Sequence, residues 1–140
     1  MDVTVVNISQ HDVDCARLEH VGRAVMEAEG GPPETELSVV IGDDAWIQKL
    51  NKTYKQKDEP TDVLAFPQEA APEGENPQLG DVAISVEMAE RQAKELGHSL
   101  PRELEILLTH GILHLTGWTD ETPERRSRMM ARTQQLLAEL

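Results

Sequence analysis

The chain has 140 residues, 39% of them apolar and 28% charged, so a single soluble domain spanning residues 1–140 with its own core is expected. No apolar run approaches the roughly 18 residues of a membrane-spanning helix, and "MDVTVVNISQHD" lacks the positive start and apolar stretch of a secretory leader. No membrane association is expected, and a cytoplasmic location is. A formal net charge of −13 disfavours unassisted, non-specific binding to phosphate backbones.

In chain order, "VTVVNI" (3–8) is rich in β-branched residues and predicts a strand. A helix is expected from an N-cap at Asp12, with Val13, Ala16, Val21, Ala24, Val25 and Ala28 at helical spacing, ending at Gly30-Gly31-Pro32-Pro33. The only cysteine, Cys15, falls in this helix and is read as a small buried hydrophobe. "ELSVVIG" is a second strand, and "DDAWIQKLNKTY" a second helix with Asp43 or Asp44 at its start. "TDVLAF" is a third strand. "PQEAAPEGENPQ", a loop longer than the usual connection, is read as functional or mobile. "LGDVAIS" is a fourth strand, and "VEMAERQAKEL" a helix closed by Gly97. Ser99 and Pro101 start "PRELEILLTHGILHLT", read as the buried central helix and ended by Gly117. Thr122-Pro123 starts a last amphipathic helix. The expected fold is α+β, one mixed sheet of about four strands packed with about five helices.

The chemistry concentrates in "HGILHLTGWTD", residues 110–120. Residues four apart share a helix face, so His110 and His114 can direct two imidazole nitrogens at one point, as zinc requires at about 2.0–2.1 Å. The next turn points farther along the axis, so a third ligand must come from beyond the helix. Gly117 can turn the chain and let Asp120 swing back. Three protein ligands with an open position is the count of a catalytic zinc site. A lone histidine on a Leu-rich helix is usually a satisfied core residue; the pair, the glycine and the aspartate together favour metal. The spacing follows the metzincin pattern, but Gly111 stands where a metalloprotease has its glutamate base and Asp120 where the third histidine stands.

"THGILHLTGW", with "LNKTYKQKDEPTDVLAFP" and "LGDVAIS" ahead of it in the same order, resembles the YbeY family of bacterial metal-dependent endoribonucleases, also described as rRNA maturation factors. The resemblance runs from about Leu50 into the last helix. It implies one zinc ion at His110, His114 and Asp120, cleavage of single-stranded RNA, and a role in rRNA maturation and ribosome quality control. Ribosomal proteins or the small ribosomal subunit are the implied partners. It places Lys55 at the family's activity-linked arginine, as the catalytic cation, and sets "KLNKTYKQK" beside the metal cleft. Four positions depart from the family pattern: Asp120 for histidine, Thr119 for aspartate, Lys55 for arginine and Ala65 for serine. Lysine keeps the charge but loses the bidentate grip on phosphate. A carboxylate ligand is compatible with zinc, lowers the net charge of the site and admits harder metals.

The residues leave the nucleophile open between an activated water and the RNA 2′-hydroxyl. Two rival readings remain. One is a ribosome-assembly protein with a structural metal, which suits the acidic surface; the other is a peptidase using Glu121 or Asp62 as base. His11, His20 and His98 are read as surface or satisfied histidines, Asp62 and Asp81 as strand-end hydrogen-bonding groups, and Trp118 as packing on the turn. The arginines of the last helix are read as a solvated face.

Overall fold

A computed structural model describes residues 1–68 and 72–140. The elements follow the expected order: β1 (Asp2–Asn7), α1 (Cys15–Glu29), β2 (Glu36–Gly42), α2 (Asp44–Lys55), β3 (Val63–Pro67), β4 (Gln78–Ser85), α3 (Val86–Leu96), α4 (Leu100–Leu115) and α5 (Pro123–Ala138). The fold is α+β, with five helices on a four-stranded mixed sheet. The strand order is β1-β2-β4-β3. β1 and β4 flank β2 in parallel, and β3 runs antiparallel to β4 as an edge strand. Part of the long loop expected after β3 (69–71) lies outside the described residues.

Strand alternation decides which face is core. Val3, Val5, Leu37, Val39, Ile41, Val82 and Ile84 point to one face and are buried against α1, α4 and α5. The opposite face carries a smaller cluster, Ile47 of α2 with Leu64 and Ala83, flanked by Trp46, Leu50 and Phe66. Helix α4 is the centre of the main layer: Leu104, Leu107, Leu108, Ile112 and Leu113 are buried, and it packs on α1, α3, α5, β3 and β4. Among the described residues no helix is long and apolar enough to cross a membrane.

Two expectations are corrected. Asp14, not Asp12, caps α1: its carboxylate accepts the Arg17 N–H at 3.0 Å and the helix begins at Cys15. The turn after β1 has its own hydrogen bonds, from Asn7 Nδ2 to the His11 carbonyl (2.7 Å) and from Ser9 N to Asn7 Oδ1 (3.0 Å). That delays the helix by two residues, so Val13 packs on the core from outside it. Cys15, now the first helical residue, is half-buried.

Candidate metal and RNA-cleavage site

Ser99 caps α4 by accepting the Arg102 N–H at 3.2 Å, with proline in the first turn. The helix then runs without a break through both histidines. It ends in a Schellman motif: Trp118 N donates to the Leu113 carbonyl (3.0 Å) and Gly117 N to the His114 carbonyl (3.2 Å). The motif needs a left-handed residue, and Gly117 supplies it at φ 106°. Trp118, expected to pack on the turn, is half-buried against the main core. The turn returns Asp120 to the helix end, where its Oδ2 lies 3.8 Å from His114 Nε2.

The two histidines differ in environment. His114 is one-third exposed. His110 Nε2 is buried and has no hydrogen-bond partner. Burial holds the His110 ring below the usual histidine range, with His114 adding to the lowering, while Asp62 and Asp120 oppose it. The ring is therefore kept in the neutral form that can offer a lone pair. Two imidazoles and a carboxylate suit a divalent ion, and a buried ring nitrogen without a partner suits a ligand position. Among the described residues, no three His, Cys, Asp or Glu side chains stand close enough together to form a metal-holding group.

The residue after the first histidine has a packing role. A Cβ at Gly111 would stand 2.8 Å from Val82 Cγ1 and 3.1 Å from Cγ2, so α4 lies directly against the sheet there. The position of the metalloprotease glutamate is thus occupied by a helix–sheet contact. The other bases weighed for a peptidase are committed elsewhere. Asp62 accepts from Val63 N at 2.7 Å and Gln92 Nε2 at 3.3 Å, a strand-end role, and Glu121 is exposed beside Arg125.

The structure does not group Lys55 with the histidines. It ends α2 on the far face of the sheet, with Nζ 5.6 Å from the centroid of the Phe66 ring. Sequence reasoning missed two features. Glu103 is buried at 2% exposure, and one oxygen lies 3.4 Å from His98 Nε2. Its spacing of two helical turns from His110 could have flagged it. Tyr54 and Phe66 meet edge to face at 5.3 Å, a pairing visible only once β3 is placed beside α2. A hollow of about 450 Å³ opens at the α4–α5 turn, lined by Trp118, Thr119, Arg125 and Arg128 among others.

A histidine pair at the end of a buried helix, faced by a carboxylate across a glycine turn, stands on an α+β fold with a four-stranded mixed sheet. The chain belongs to the YbeY family: the family described as endoribonuclease YbeY matches residues 5–140. It is 44% identical over 131 residues to the endoribonuclease YbeY of Heliobacterium modesticaldum, covering 86% of this chain and 79% of that one. It is also 44% identical over 127 residues to that of Pelotomaculum thermopropionicum, covering 88% and 84%. In fold it is similar to the solution structure of TM1509 from Thermotoga maritima. There the TM-score is 0.60 at 22% identity, over 98% of this chain and 90% of the other. Family membership makes the chain an RNA-cleaving hydrolase.

Proposed function

We propose that this chain is a zinc-dependent, single-strand-specific endoribonuclease acting in the cytoplasm, in rRNA maturation and ribosome quality control. Ribosomal proteins or the small ribosomal subunit are its docking partners. The observation that carries the reading is the buried, unpartnered Nε2 of His110 one helical turn from His114, with Asp120 returned to within 3.8 Å. Two donors around one tetrahedral ion at about 2 Å lie roughly 3.3 Å apart. The spacing of His114 and Asp120 is close to that, and too long for a hydrogen bond.

His110, His114 and Asp120 would hold the ion, which supplies Lewis acidity to phosphoryl transfer. The buried wall of Leu108, Ile112 and Leu113 keeps the histidine helix rigid. Lys55 ends α2 on the far face of the sheet from these residues, so its charge would meet a flanking phosphate of the RNA and not the one at the ion.

The test is metal content by mass spectrometry for the wild type, His114→Ala and Asp120→Ala, each assayed on a single-stranded RNA. Near one zinc per wild-type chain, lost with cleavage in both variants, is the expected result. Zinc held equally by Asp120→Ala would remove that residue from the site. Cleavage and ribosome-related function retained in a metal-free variant would favour a structural metal.

A further inference from the structure

Parallel strands are ordinarily covered on both faces. Here, among the described residues, α2 is the one helix packed on the face opposite α4, beside a groove of about 480 Å³ lined by Val40, Trp46, Leu50, Tyr54, Phe66 and Asp81 among others. That volume falls within the range of ligand sites. Its walls are chemically uneven. One end is aromatic: Tyr54 is 61% exposed and its ring meets Phe66 at an interplanar angle of 62°. The same end is basic: Lys55 Nζ lies over Phe66, and Lys49, Lys52, Lys55 and Lys57 are all exposed in a stretch, 49–57, without an acid. Among the described residues, only Lys52 of these four reaches a carboxylate, Asp58, at 3.8 Å between two exposed side chains, a contact worth little. On a chain of net charge −13 this is a local positive patch joined to accessible aromatic rings.

Resting on the reading of the chain as a single-strand endoribonuclease, we propose that this groove is a nucleobase-stacking subsite. An unpaired base stacks on Tyr54 and Phe66, and the α2 lysines hold the flanking phosphates. Charge complementarity selects the occupant, since an aromatic floor with a cationic rim suits a polyanion with exposed π-faces. The edge strand supplies continuity with the histidines. Phe66 lines the groove from one face of β3, while Val63 on the other face lies 3.5 Å from where a Cβ of Gly111 would stand. A strand draped over β3 places a base in the groove and its neighbouring phosphates toward α4.

The chain has two tryptophans, so Trp118→Phe leaves Trp46 as the only indole, and His114→Ala blocks cleavage. In that double variant, ten-nucleotide oligo(rU) and oligo(rA) are titrated against Trp46 fluorescence. Stacking energies of single bases translate to a loss of roughly 5- to 150-fold in affinity when the ring is removed. Tyr54→Ala and Phe66→Leu are expected to show that loss, Tyr54→Phe to bind as the parent, and Tyr54→Ala with His114 intact to raise KM more than it lowers kcat. Unchanged affinity in Tyr54→Ala, with the wild type still cutting RNA, overturns the subsite while leaving the nuclease reading intact. A groove that binds protein and not RNA gives that same pattern. A wild type that neither binds nor cuts these oligonucleotides overturns the underlying reading.

Discussion

Gly111 and Glu103 show how single positions on α4 serve opposite demands. Gly111→Ala would place a methyl 2.8 Å from Val82, a branched side chain with little freedom to move. Overpacking of that kind costs about 1–3 kcal/mol. Thermal denaturation should show a clear fall in Tm for this variant, and an unchanged Tm would mean the helix–sheet contact is looser than described. Glu103 carries a carboxyl into the core. Burial raises its pKa above the usual glutamate range, the nearby Asp62 charge adds slightly, and His98 offsets part of the rise. The sign follows directly: the folded state favours the protonated acid, so the contribution is fully present below the ordinary glutamate pKa and is lost as pH rises through the raised one. Glu103→Gln should therefore be more stable than wild type at pH 8, with the advantage shrinking toward pH 4.5. A constant difference across that range, measured by urea denaturation, would refute the assignment.

Helix α4 also shows what is legible at the scale of an element. The 3.6-residue period of its leucines, the serine–proline start and the glycine stop all agree, so its bounds, its burial and the pairing of His110 with His114 could be read from the residues. Leu108→Ala, at a fully buried position in the middle of this helix, should cost about 2–5 kcal/mol in chemical denaturation. Other features were not legible, each for a physical reason. Asp12 and Asp14 are equivalent as caps until the hydrogen-bonded turn at Asn7–His11 fixes where α1 can begin. Lys55 shares a motif with the site, yet a helix on the far side of a sheet can place a sequence neighbour across a strand. The role of Ser85 needed the structure as well. It is buried, caps α3 by accepting the Met88 N–H (3.2 Å), and donates to Asp44 at 2.7 Å, while Arg91 donates to the other oxygen of Asp44. One hydroxyl thus links α2 to α3.

For the molecule as a whole, the acidic body and the lysines of α2 act at different ranges. If those lysines provide the phosphate contacts, log affinity for single-stranded RNA should fall with log salt at about −0.7 per lysine engaged, near −2 to −3 for three or four. Lys49→Gln with Lys52→Gln should flatten that slope by about one unit, and an unaltered slope would move the contact elsewhere, for instance to Arg125 and Arg128. The sheet order has a consequence for synthesis. β2 pairs with β1 early, but its other edge stays open until residues 78–85 have been made, and β3 leaves the ribosome before its partner β4. The histidines come later still, on a helix whose cover includes Leu136 and Leu137 of α5. Pairings so distant in sequence form slowly and late. If cleavage runs through His110 and His114, a copy of this chain still lacking α5 should therefore cut no RNA.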